Sequence, residues 1–222
     1  MGLAMPRFAL ARKMLAVLRD ERLRLGARPV IPELGYDSWR DDNATIGEMC
    51  LALLVSLRHE IERNLIWLAA RSGRAGAPLS RDEYFGSVRK ISKLGGKLYP
   101  TLEKRLGLTE IPVWKKELDL LRLLTNCFKH DPFGQPEQAD KVKGLRQKLG
   151  LRATNYAPLA ESQGVVDALN RDLGVADHGD WIEIAGKFIA VSENFLDEVA
   201  LRAGLQPVDT HPAPFLPEDL AH

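Results

Sequence analysis

The sequence predicts an all-α protein, an antiparallel bundle of roughly five to seven helices. Two observations predict it. Apolar residues return at the three- and four-residue spacing of a helix through most of the chain, and no set of alternating apolar and polar runs marks out strands. Aromatic residues are only 7% of the 222 residues, and Val and Ile are sparse, which removes the usual material of a sheet. With 45% hydrophobic and 27% charged residues, the chain carries enough apolar surface for a sizeable core and lacks the composition of a disordered chain.

The first helix is expected from about Phe8 to Leu25, where Phe8, Ala11, Leu15, Leu18 and Leu25 share a face and Gly26 ends the run. Charge returns at Arg19, Asp20 and Glu21, so residues 1–18 read as helix rather than as a signal peptide. Residues 28–42 hold Pro29, Pro32 and Gly35 and read as an irregular connection. A second helix is expected to start at Thr45, whose hydroxyl would accept from the first turn while Glu48 reaches back to it. Its stripe is Ile46, Cys50, Leu53, Leu57, Ile61, Leu65 and Leu68, and it ends near Arg71, before Ser72-Gly73.

Ser80 and Glu83 repeat the capping pattern. The third helix then sets Tyr84, Val88, Ile91, Leu94, Leu98 and Leu102 on one side and basic residues on the other. Two features interrupt it: the Gly95-Gly96 pair, which marks a bend or a close crossing, and Pro100, which would break it in two. A fourth helix begins around Pro112 and is apolar around most of its circumference, as befits a central helix. Asp131-Pro132 and Gly134 stop it directly after His130. Further helices are expected over 135–149 and 161–173, with a long last one marked by Trp181, Ala185, Phe188, Ser192, Phe195 and Val199. Residues 1–204 thus read as a single helical domain. Residues 205–222 hold four prolines and neither Lys nor Arg, and read as a flexible tail.

Composition excludes several functional classes. Thirty-one basic residues against thirty acidic leave a net charge of +1, which rules out a uniformly basic coat for nucleic acid but not a local patch. Two cysteines, Cys50 and Cys127, make no disulfide scaffold and read as buried thiols. No run of about eighteen apolar residues is present, so no membrane span is expected, and the cytoplasm is the default location. No phosphate-binding glycine loop, zinc-ligand spacing or nucleophile elbow occurs, and no cofactor or metal is expected. His178, between Asp177 and Asp180, reads as part of a helix cap.

The informative segment is the end of the fourth helix. With Arg122 at zero, Asn126 falls at about 40°, Lys129 at about −20° and His130 at about 80° around the axis. These four, with Thr125, form the one polar strip on an apolar helix. A histidine at a helix C-terminus is favoured as the imidazolium. His130 there is placed to move a proton of a ribose 2′-hydroxyl, with Asn126 positioning and Arg122 or Lys129 holding phosphate. The competing reading is structural: Asn126 bonds across to a neighbouring helix and fixes its register, and Lys129 and His130 dress a helix end. On the second helix, the strip Arg58-His59-Glu60, Glu62-Arg63-Asn64 offers partners. Arg58–Glu62 and Glu60–Asn64 have i,i+4 spacing, and Glu60 or Asn64 would face Asn126 or Arg122 if the two helices lie antiparallel. Two basic stretches stand out as well. Residues 86–105 hold six basic groups and one acidic, and residues 140–152 hold five and one. Both also read as ordinary solvated helix faces.

The Leu-Arg122-x3-Asn126-x3-His130 arrangement late in a long helix, closed by Asp-Pro, together with the strip from Arg58 to Asn64, resembles the HEPN superfamily. The resemblance covers approximately residues 44–149, with the helices of 160–204 as additions. It implies a helical bundle, often dimeric, that binds RNA and in many members cleaves it without metal. In other members it implies a non-catalytic interaction or scaffold module. By position His130 matches the family histidine and Asn126 the polar residue that follows the family arginine. The arginine itself would fall at Thr125, and Arg122 stands one turn earlier. The expected partners are RNA, a second copy of the chain or another protein, and no membrane.

Overall fold

The computed structural model describes residues 8–26, 35–72, 81–130, 145–151 and 179–204. They form α1 (Ala9–Gly26), α2 (Gly35–Arg71), α3 (Arg81–Ser92), α4 (Leu98–Leu106), α5 (Pro112–Lys115), α6 (Glu117–His130), α7 (Leu145–Lys148) and α8 (Gly179–Arg202), with 3-10 turns at Gly95–Lys97 and Leu108–Glu110. The protein is all-α, and no strand occurs among the described residues. The described residues within 10–58 and 116–191 make one compact unit; those within 1–9, 59–115 and 192–222 make the other. Helices α2 and α8 contribute residues to both.

In the first of these units the core is built by the expected stripes. Leu15 and Leu18 of α1, Ile46, Cys50, Leu53 and Leu57 of α2, Leu121, Leu124 and Cys127 of α6, and Trp181, Ala185 and Phe188 of α8 are all buried. Each set recurs at three or four residues and so lies on one side of its helix. Helix α8 approaches α1 closely at Gly186, where an added Cβ would lie 3.1 Å from Arg19 Nη2 and 3.5 Å from Leu15 Cδ2.

One boundary differs from the sequence reading. Helix α2 spans 37 residues and begins at Gly35, ten before Thr45. Thr45 is therefore inside the helix and does not cap it, and the connection expected over 28–42 is helical from residue 35 onward. The physical reason is an absence of breakers: no proline follows Pro32 before the apolar stripe begins, so the backbone meets no obstacle to extending the helix upstream.

In the other unit, the second half of α2 buries Ile61, Leu65, Leu68 and Ala69, and α8 buries Phe195, Leu196 and Val199. The basic-faced third helix divides in two, but at the glycine pair read as a bend or close crossing and not at Pro100. Gly95 takes φ 53°, a conformation open to glycine at little cost, and α3 ends just before it. Pro100 sits in the first turn of α4, where a missing N–H removes no intrahelical bond. Helix α4 buries Leu98, Leu102 and Leu106 and ends on Gly107, left-handed at φ 62°, whose N–H donates to the Glu103 carbonyl. Polar contacts tie the pieces together. The Tyr99 hydroxyl donates to Glu62 Oε2 at 2.8 Å, and Trp114 Nε1 donates to Glu103 Oε1 at 2.8 Å. The Trp114 ring stacks on Phe195 with centroids 5.6 Å apart.

The Ser80 cap, the helix expected over 161–173, the cap around His178 and the 205–222 tail lie outside the described residues, as does most of the segment 135–149. No helix of the described residues is long and apolar enough to cross a membrane.

Candidate functional site

Helix α6 has a clear reason to form. Glu117 and Asp119 lie in its first turn, where carboxylates favour the N-terminal dipole. Leu118, Leu121, Leu123, Leu124 and Cys127 are buried and hold it in place. The helix runs to His130, and the Asp-Pro expected to stop it lies outside the described residues. Arg122, Thr125 and Asn126 remain as its polar strip among the described side chains. The side chains of Lys129 and His130 lie outside those described.

The strip is met by Arg58 of α2. Its Nη1 donates to Asn126 Oδ1 at 2.6 Å and to Thr125 Oγ1 at 3.2 Å. The Thr125 hydroxyl in turn donates to the Arg122 carbonyl at 3.1 Å, so it accepts from Arg58 while giving its own proton to the backbone. Thr125 is 1% exposed, which makes this a buried, satisfied hydroxyl rather than a surface one. Arg58 Nε is buried and, among the described residues, has no acceptor. Both of the guanidinium's described partners are neutral.

Arg122, the arginine that the sequence places on this face, is held differently. Its Nε and Nη2 both approach Asp119 Oδ1, at 2.8 and 2.7 Å, across one helical turn. Both side chains are roughly two-fifths exposed, so this pair contributes little stability, about 0–1 kcal/mol, but it offsets the charge of Arg122 locally. The two arginines therefore differ in kind. Arg122 carries its own counterion, and Arg58 has none among the described residues.

The predicted supporting residues bond within their own helix. Asn64 is buried and donates to the Glu60 carbonyl at 2.8 Å and to Glu60 Oε1 at 3.4 Å, and Glu60 also pairs with Arg63. The hydrogen bond that reaches Asn126 comes from Arg58 instead. The i,i+4 pair expected between Arg58 and Glu62 is replaced: Arg58 turns to α6, and Glu62 accepts from Tyr99.

The sequence places Arg58 in the partner strip of α2 but pairs it with Glu62 and brings Glu60 or Asn64 to Asn126; the structure brings Arg58 there instead. The signal for its direction is weak: a single arginine in the middle of an apolar stripe, one position after Leu57. The capture of Arg122 had a better signal in the i,i+3 spacing to Asp119. Both cysteines are buried thiols, Cys50 and Cys127 each 0% exposed. Burial pushes the Cys50 thiol up to about 12, and burial raises Cys127 as well, against a smaller lowering by a backbone hydrogen bond. Neither is a nucleophile at neutral pH. Among the described residues no three His, Cys, Asp or Glu groups converge as metal ligands. Compared with protein-family models, curated proteins and solved structures, the chain matches none of them.

Proposed function

We propose that this protein is an HEPN-like RNA-binding protein, and that it cleaves RNA without a metal ion at the end of α6. The observation that carries the reading is the Arg58 guanidinium, seated on Thr125 and Asn126 with no acidic partner among the described residues, about one helical turn before His130. An arginine with neutral partners retains its full charge for an anion, and RNA presents one phosphate per nucleotide. In the proposed reaction His130 takes the proton of a ribose 2′-hydroxyl, the oxygen attacks the adjacent phosphorus, and the 5′-oxygen of the next nucleotide leaves with a proton. The products are a 2′,3′-cyclic phosphate and a free 5′-hydroxyl. Asn126 positions, and Arg122 or Lys129 adds positive charge near the phosphate. A homodimer would bring a second His130 to the reaction, since one histidine must otherwise serve as both base and acid. Light scattering over a range of concentrations tests this: a monomer mass throughout counts against the dimer.

One observation favours a second reading, a non-catalytic interaction or scaffold module. The only arginine on α6 is neutralised by Asp119, and the position of the family arginine is the buried Thr125. Incubation with a mixed set of labelled structured and single-stranded RNAs in EDTA separates the two. The ribonuclease reading predicts cleavage by wild type and none by a folded His130→Ala variant. No cleavage, or equal cleavage by both, leaves the module.

A further inference from the structure

We infer that Arg58 forms a phosphate-binding subsite, with Thr125 and Asn126 as its fixed backing. This rests on the RNA reading above and deepens it, by naming the group that holds the phosphate and placing it on a different helix from the histidine. The argument is one of unused donors. A guanidinium has five N–H donors in a planar fork. One terminal nitrogen, Nη1, is engaged by Asn126 Oδ1 and Thr125 Oγ1. Those two bonds fix the plane of the fork and its rotation about the side-chain axis. The opposite edge, Nε with Nη2, has no acceptor among the described residues, and Nε is cut off from water.

A buried donor without an acceptor is uncommon in a folded protein. Here it sits on the edge of arginine that receives a tetrahedral oxyanion side-on, through two parallel N–H···O bonds. Nor, among the described residues, is the charge offset by a carboxylate, as that of Arg122 is by Asp119. The backing residues suit the role. Thr125 is buried and locked by its own bond to the Arg122 carbonyl, so the fork does not have to be ordered when the anion arrives. A lysine at position 58 would keep the charge but lose the fork and the fixed plane. The ligand chemistry is that of a phosphate mono- or diester oxygen pair, supplied by an RNA backbone or by free phosphate.

The test reads anion binding apart from cleavage. Wild type, Arg58→Met and Arg58→Lys are titrated with inorganic phosphate and, separately, with a short uncleavable RNA carrying 2′-O-methyl groups. Thermal melting and the Asn126 side-chain amide signals in NMR are followed, and cleavage of unmodified RNA is measured alongside. The inference expects phosphate to raise the melting temperature of wild type and move the Asn126 signals. It expects both responses to be lost in Arg58→Met and weakened at least tenfold in apparent affinity in Arg58→Lys. A response to the RNA but not to phosphate, still lost in Arg58→Met, assigns the subsite to the polynucleotide backbone. A phosphate and RNA response unchanged in Arg58→Met, or in Arg58→Lys should the methionine variant not fold, overturns it. Arg58-dependent phosphate binding without any cleavage keeps the subsite and removes the ribonuclease. Cleavage that persists in Arg58→Met with binding unchanged removes the subsite and keeps the ribonuclease.

Discussion

Replacing Arg58 by methionine and Asn126 by alanine should have unequal effects on stability, and the inequality follows from the bonds around the guanidinium. Asn126→Ala removes the 2.6 Å acceptor of Arg58 Nη1 and leaves only the 3.2 Å contact to Thr125. A hydrogen bond to a charged donor is worth about 1.5–3 kcal/mol, so Asn126→Ala should cost about that much. Arg58→Met loses the same bond and the longer one, but it also removes the buried Nε that lacks an acceptor. An unsatisfied buried donor costs about 1–3 kcal/mol, so its removal largely offsets the loss, and methionine keeps the apolar stem in place. Arg58→Met should therefore lie within about 1 kcal/mol of wild type, the smaller of the two effects. Urea unfolding with an unchanged dependence on denaturant measures both. If Arg58→Met loses more than about 3 kcal/mol while Asn126→Ala loses almost nothing, the guanidinium is a well-satisfied structural group, and the reasoning from unused donors fails.

Two further outcomes can be checked directly. Gly107→Ala puts a Cβ where nothing lies within 4 Å, so its cost is backbone strain at φ 62° alone. That strain of about 1–2 kcal/mol should lower the melting temperature by about 2–8 °C, and Gly107→Asn should lower it less because asparagine tolerates the left-handed region. The buried Cys50 has its thiol raised from 9.0 to about 12, so the folded state holds this proton more tightly than the unfolded state does. Stability from this source is complete below about pH 9 and falls as pH rises toward 12, by at most about 1.4 kcal/mol per pH unit. Replacing Cys50 by alanine should flatten that alkaline loss, and a thiol reagent at pH 8 should modify Cys50 only after denaturant is added.

The apolar stripes are the part of the fold most readable in the sequence. Every residue of the α2 set from Ile46 to Leu68, and every residue that marks α8, is buried. Helical periodicity reports a buried face because that face is what folding removes from water. Helix starts are less readable. The Thr45–Glu48 pair has the spacing of a cap but stands inside a helix, since a local hydrogen-bond pattern competes with continuation and nothing upstream stops α2. The break near Gly95 shows the reverse case, in which a single positive φ decides between two candidate breakers. For the site, the polar strip on α6 follows from its angular positions. Its partner does not. Which α2 residue meets Asn126 depends on the axial register between two helices whose contacting residues lie 68 apart in sequence, and less than two turns separate Arg58 from Asn64 on α2. The same limit explains Arg122, whose nearest acid lies on its own helix and is satisfied before any distant partner counts.

The proposed chemistry is tested most directly by the ends it leaves. An RNA cleaved by the purified protein in EDTA should carry 2′,3′-cyclic phosphate and 5′-hydroxyl termini. A single 2′-deoxynucleotide 5′ to the scissile phosphate should block that site alone, and folded His130→Ala should produce neither end. Products with 5′-phosphate ends, cleavage that tolerates the 2′-deoxy substitution, or RNA left intact by wild type would contradict a 2′-hydroxyl attack managed by His130.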